Sequence, residues 1–170
     1  HVQSLTVSHP SIRPLRARGT LSTAQVTRCV MSHEMEIRSA TAQDIDRLGE
    51  MNKRLIEDEG HSNPMSVSAL TERMRTWLSA DYRAYLVWND SEAVAYALYR
   101  EEEQAFYLRQ LFVERDYRRR GIAKALLDWL FERCWGDKTV RLEVLAHNGI
   151  AIAFYRAYGF SVRALEMTKG

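Results

Sequence analysis

The chain is 170 residues long, 46% hydrophobic and 27% charged, with a formal net charge of +2. That length suits one compact domain with its own core, and the composition excludes an intrinsically disordered chain. The near-balanced charge gives no whole-molecule reason to bind nucleic acid or membrane, no apolar run is long enough to span a bilayer, and two distant cysteines, Cys29 and Cys134, make neither a disulfide framework nor a metal set.

A reduced, cytoplasmic protein without a metal is therefore expected. Residues 1–34 carry Pro10, Pro14, many Ser and Thr and several basic residues, with no acid before Glu34. They read as an N-terminal extension, either a non-native read-through segment ahead of a start at Met31 or Met35, or a transit-type peptide. The domain is expected over 35–170. A short strand falls at 36–38. Thr41 and Asp44 then supply an N-cap and a first-turn acid, and Ile45, Leu48, Met51 and Leu55 recur at helical spacing. An acidic loop with Glu57, Asp58, Glu59 and His61 breaks this helix. Ser66 caps a second helix, with Leu70, Met74, Trp77 and Leu78 on one stripe.

Strands follow at 82–88 and 93–99, joined by a turn at Asn89-Asp90, and at 105–113. Leu126, Leu127, Leu130, Phe131 and Cys134 mark a core-facing helix that Gly136 stops. Residues 139–145 alternate as a strand, with Val140, Leu142 and Val144 on one face and Arg141, Glu143 and Leu145 on the other. A short helix over 148–158 closes at Gly159, and 160–167 is the last strand. This order implies an α/β fold: a mixed, mostly antiparallel central sheet of six to seven strands flanked by about four helices.

One stretch carries a clear chemical suggestion. After the strand that ends at Val113 come Arg115, Arg118, Arg119 and Arg120, then Gly121, Ile122, Ala123 and Lys124 at the start of a helix. A helix N-terminus offers unpaired amides and a partial positive charge, so it suits a phosphate, and small Gly121 and Ala123 permit close approach. On the residues alone, a solvated basic helix start or a nucleic-acid patch fits as well.

This stretch resembles the acetyl-CoA-binding motif of the GNAT superfamily, the GCN5-related N-acetyltransferases. A second block, Asn148-Gly149-Ile150-Ala151-Ile152-Ala153-Phe154-Tyr155 through Gly159-Phe160, resembles a later motif of the same superfamily. The two occur in the right order, and the resemblance covers residues 35–169. It implies acetyl transfer from acetyl-CoA, a co-substrate, to a primary amine of a small molecule or peptide, by direct attack in a ternary complex. By the same resemblance, backbone groups of Leu111, Phe112 and Val113 hold the pantetheine arm. The amides of Arg118, Arg119, Arg120, Gly121, Ile122 and Ala123, with Lys124, hold the pyrophosphate. Asn148 contacts the cofactor arm, and Tyr155 sits near the thioester sulfur to supply a proton to the leaving thiolate.

Glu143 alone reads as half of an ordinary ion pair. The Glu143-to-Tyr155 spacing resembles that of the ribosomal-protein alanine acetyltransferases, which implies Glu143 as general base. Other members carry a glutamate at a position that falls near Tyr107 here, so that base is missing; Glu103 and a water relay stay open. The acidic loop is expected to attract a cationic amine, with a plain solvated loop as the alternative. Trp77, Tyr85, Tyr99, Phe106 and Tyr107 either line a cleft or fill the core. Only 11 residues follow Gly159, too few for the family's closing hairpin, so either one long strand serves instead or a partner subunit completes the sheet edge, and a homodimer is expected. A non-catalytic CoA-sensing domain and a nucleic-acid-binding module built on the basic turn are the two rival readings.

Overall fold

The structure, a computed structural model, describes residues 29–31, 35–60, 63–164 and 167. In chain order it runs β1 (Cys29–Met31), β2 (Met35–Ser39), α1 (Ile45–Asp58), α2 (Val67–Ser79), β3 (Tyr82–Asn89), β4 (Glu92–Glu101), β5 (Ala105–Val113), α3 (Ile122–Leu130), β6 (Thr139–Leu142) and α4 (Gly149–Tyr158). One sheet holds the strands in order β1-β2-β3-β4-β5-β6. Every neighbouring pair is antiparallel except β5 and β6, which are parallel because α3 crosses over between them.

Local chemistry sets the element ends. Asp44 accepts bonds from the Thr41 amide and hydroxyl, both at 2.8 Å, and from the Arg38 fork at 2.9 and 3.0 Å. This cluster turns the chain from β2 into α1. The Ser66 hydroxyl caps α2 by accepting from the Ala69 amide at 3.2 Å. The β3–β4 hairpin closes through Asp90 at φ 52, a left-handed turn position that Asp tolerates.

The sheet separates two apolar layers. On one face Ile45, Leu48 and Met51 of α1 and Met74 of α2 pack on Leu86, Tyr96, Leu98 and Phe112. On the other, Ile122, Leu126, Leu127 and Leu130 of α3 pack on Val87, Ala97, Tyr99 and Phe106, and Trp135 joins them from a π-helical turn, Phe131–Trp135, that extends α3. Tyr99 and Phe106 are thus core residues, with Tyr85 packed against them.

Three expectations need correction. Strand β1 pairs with β2 although it falls inside the stretch read as an extension; residues 1–28 and 32–34 lie outside the described residues. The strand expected over 139–145 stops at Leu142. A β-bulge in β5 inserts Arg109 between the partners of Leu98 and Tyr99, and bulges sharpen twist, so β5 swings away from β6 after four residue pairs. Among the described residues, 160–164 and 167 form no strand; the β6 edge they would extend is only four residues long.

Helices α1 and α2 pack tightly at Gly49. A Cβ there would overlap the Thr71 hydroxyl and lie 3.0 Å from the Thr71 Cα. In a solvated helix Gly→Ala gains about 1 kcal/mol. Here Gly49→Ala is expected to lower unfolding free energy by about 1–3 kcal/mol through overpacking, measured by urea titration; an unchanged or raised midpoint would refute the tight crossing.

Candidate active site

Between β5 and α3 the chain makes a 3-10 turn, Arg115–Tyr117, and passes through extended Arg118. Arg119 at φ 63 and Gly121 at φ 78 are both left-handed. A non-glycine residue in that region costs about 1–2 kcal/mol, and such strain concentrates at functional turns. Alternating left-handed positions turn successive amides toward one side, the geometry of an anion nest. Among the described residues, no backbone acceptor meets the amides of Arg119, Arg120, Gly121, Ile122, Ala123 or Lys124. A Cβ on Gly121 would meet nothing within 4 Å, so the space before these amides is open and the glycine serves backbone sign rather than crowding.

Ion pairs fasten this turn to the end of α1. Arg54 bonds Glu114 at 2.8 Å. Asp58 takes both Arg115, with Nε at 2.7 Å, and Arg118. Burial pushes the Asp58 carboxyl up, but the bonds from Arg118 and then Arg115 outweigh it and hold the group below the usual carboxylate range. Arg118 Nε also donates to the Val113 carbonyl at 2.9 Å, and the Arg118 amide donates to the Arg115 carbonyl at 3.2 Å. Across the turn, the Tyr117 hydroxyl donates to Glu92 at 2.9 Å and accepts from Asn89 at 3.2 Å.

The cations of the turn therefore divide. The Arg115 and Arg118 side chains are committed to Asp58, and Lys124 pairs with Asp128 at 2.6 Å, to which the Tyr158 hydroxyl also donates. Arg119 and Arg120 make no ion pair among the described residues. Asp58, expected to face an incoming amine, instead anchors the turn; His61 lies outside the described residues.

Below the turn the sheet splits. The β5–β6 ladder ends at Leu108 and Leu142, so among the described residues the β6-facing edge of β5 is unpaired through Leu111, Phe112 and Val113. The Phe112 side chain is buried in the α1-side core, while Leu111 and Val113 pack toward the α3 side. Glu143 is the first residue after β6, just past the end of the ladder. Its side chain is 78% exposed and 3.9 Å from Arg141. It also faces the Tyr107 hydroxyl, whose pKa is raised by burial first and then by the Glu143 carboxylate. Glu103 sits in the β4–β5 turn, at the end of β5 remote from the basic turn.

Helix α4 packs on the α3 side of the sheet through Phe154, Tyr155 and Tyr158. The Asn148 side chain caps it by accepting from the Ala151 amide at 3.1 Å. Tyr155 packs edge-on against Phe154 and Phe160, with centroids 5.2 and 5.5 Å away. Burial, and then the Glu59 carboxylate, push its phenol well above the ordinary tyrosine value. His147, ahead of α4, bonds the Glu59 carbonyl through Nε2 at 2.9 Å. The last turn of α1 thus touches both the basic turn and the approach to α4. Sequence spacing gave no sign of this, because Asp58 and Arg115 are 57 positions apart and Glu59 and His147 are 88 apart.

Among the described residues, no cluster of three or more His, Cys, Asp or Glu could hold a metal ion, and no helix is long and apolar enough to cross a membrane. The [ribosomal protein bS18]-alanine N-acetyltransferase of Escherichia coli K12 is 29% identical over 108 residues, which is 62% of this chain and 70% of the relative. A possible acetyltransferase from Clostridium difficile 630 superposes with a TM-score of 0.68 at 23% identity, over 81% of this chain and 97% of its own. A protein from Clostridium acetobutylicum, described as a predicted acetyltransferase and solved with acetyl-CoA, superposes with a TM-score of 0.64 at 22% identity, over 79% and 96%. These structural likenesses establish the fold. The acetyltransferase (GNAT) family model matches residues 51–160, from within α1 to the residue after the glycine that ends α4, so it takes in the tethered turn, the split strands and α4 together. The chain belongs to the acetyltransferase (GNAT) family.

Proposed function

We propose that the protein moves the acetyl group of acetyl-CoA to a primary amine, by direct attack of the amine while both substrates are bound. The observation that carries this reading is the row of six open amides from Arg119 to Lys124 around left-handed Gly121. Those amides, the partial charge at the start of α3 and the unpaired Arg119 and Arg120 make a cradle for a diphosphate. The unpaired edge at Leu111, Phe112 and Val113 offers backbone partners for the amides of the pantetheine arm, in the manner of an added strand.

The acetyl carbonyl then lies in the split between β5 and β6. A β5 amide donates to the carbonyl oxygen as negative charge develops there. Tyr155 keeps its proton throughout the neutral range, because its pKa is raised, and donates it to the departing thiolate. A lysine-like amine has a pKa near 10.4 and arrives mostly charged. Glu143, solvent-exposed at the mouth of the split, takes that proton through water. Cys134 packs against the α3-side core beside Tyr85 and Tyr99, a packing position that favours direct attack over an acetyl-cysteine intermediate. The relative from Escherichia coli is named for an alanine of a ribosomal protein, so a peptide N-terminus stands beside small amines as an acceptor class. The outer edge of β6, which pairs with no other strand among the described residues, is suited to pairing with a second copy.

Calorimetry with acetyl-CoA should give micromolar binding to the wild type and at least a 100-fold loss in Gly121→Glu, which adds a negative side chain at φ 78 beside the open amides. No binding by the wild type would overturn the reading. Tyr155→Phe should lower kcat by about 10²–10³ with acetyl-CoA affinity unchanged. Glu143→Gln should lower kcat/KM for the amine most at low pH, the deficit shrinking as pH rises toward the amine's own pKa; a deficit independent of pH would remove Glu143 as base. Light scattering should return the mass of two chains, and a monomer would refute pairing through β6.

A further inference from the structure

A row of arginines and aromatic rings crosses the α1–α2 side of the sheet. Tyr82, Arg100, Tyr107 and Arg141 are direct lateral partners on four adjacent strands. Arg100 lies 5.4 Å from both the Tyr82 and Tyr107 ring centroids, and Arg141 lies 4.4 Å from Tyr107. Glu102 neutralises this part of the row, bonding Arg100 at 2.9 Å and Arg141 at 2.6 Å. The row continues over Trp77 of α2, where Arg73 and Arg109 stand 4.7 and 4.4 Å from one indole centroid. Here no carboxylate answers: neither Arg73 nor Arg109 makes an ion pair among the described residues. The Arg73 Nε is buried without a hydrogen-bond partner. Burial, and then the charge of Arg109, lower the Arg73 pKa, so the pair is electrostatically uncomfortable as it stands.

The placement gives the pair a use. Arg109 is the bulged residue of β5 and the first past the end of the β5–β6 ladder, as Glu143 is on the opposite strand. The two flank the mouth of the split, where the acceptor must enter. Arg73 reaches the same region from α2, braced by its contact with the Met65 sulfur at 3.4 Å, and Arg109 is steadied by the Tyr82 hydroxyl at 3.5 Å. An acceptor whose amine turns toward Glu143 would bring a group a few ångströms away onto Arg109 and Arg73. Two guanidinium forks without a counter-ion, held on an aromatic plate, match a carboxylate.

We propose that Arg73 and Arg109 form a carboxylate subsite for the acceptor, so that the preferred substrate carries a carboxylate close to its reactive amine. This rests on the transferase reading above. Two sources share that chemistry: a free amino acid, and a peptide N-terminus followed by an acidic residue. The acidic loop then contributes through its approach to Tyr155 at Glu59, while the arginine pair selects the rest of the molecule.

The test compares initial rates for paired acceptors: each free amino acid against its amide, and the tripeptides Ala-Glu-Ala and Ala-Gln-Ala. Wild type, Arg109→Gln, Arg109→Lys and Arg73→Gln are assayed, with acetyl-CoA binding measured in parallel. The wild type should favour the carboxylate member of at least one pair by about tenfold or more in kcat/KM. That ratio should fall near one in Arg109→Gln through KM, and recover in part in Arg109→Lys. Which pair shows the preference tells the free amino acid from the peptide. A wild-type ratio near one in every pair, or a preference that survives both Gln variants, overturns the subsite while leaving acetyl-CoA binding intact. Failure of the wild type to bind acetyl-CoA would instead sink the transferase reading. If no pair is acetylated, glutarate serves as an amine-free probe: it should raise the melting temperature of the wild type and not of Arg109→Gln, and no wild-type shift overturns the proposal.

Discussion

Four residue pairs join β6 to β5, and the ladder ends at Leu108 and Leu142. Most of what the molecule can do depends on that early ending. Had the strands stayed paired, the edge of β5 at Leu111, Phe112 and Val113 would be consumed by backbone bonds. Nor would an opening exist between the α1–α2 layer and the α3–α4 layer. The cause is local and covalent: one extra residue in β5, Arg109, bends the strand out of register with β4 and away from β6. The same residue lays its guanidinium over Trp77 of α2.

The split would be a loose gap without the tether from α1. Exposed ion pairs are individually weak, about 0–1 kcal/mol. Asp58 differs because it is largely shielded and gathers two arginines from the turn, while Arg54 holds Glu114 one turn of helix away. Helix α1 is itself fixed by Gly49 against α2 and by Asp44 at its start. Rigid packing is thereby transmitted to a turn that stores strain at Arg119. Preorganised amides bind a charged group without first having to rotate into place, the physical content of an electrostatic site.

The arginines around the split and the turn fall into two kinds. Arg54, Arg100, Arg115, Arg118 and Arg141 have carboxylate partners and build the walls. Arg73, Arg109, Arg119 and Arg120 make no ion pair among the described residues. Net charge conceals this division, since the chain as a whole is close to neutral.

Periodicity and capping residues alone determined the order of elements from β2 to α4, the extent of β5 to the residue and the Ser66 cap, because each depends on neighbours a few positions apart. In the sequence, Tyr155 and Glu143 are paired only through the resemblance to the ribosomal-protein alanine acetyltransferases. Local spacing gave no hint that Asp58 would be taken by Arg115 and Arg118, that the Glu59 carbonyl would meet His147, or that Arg73 and Arg109 would share one indole. Nor did it show that β6 would stop at Leu142, since Val144 continues the alternation perfectly well. Those features arise from partners dozens of residues apart brought together by the twist of one bulged strand. Tertiary packing decides them because local preference is satisfied equally by the alternatives, and only the folded sheet makes one of them close.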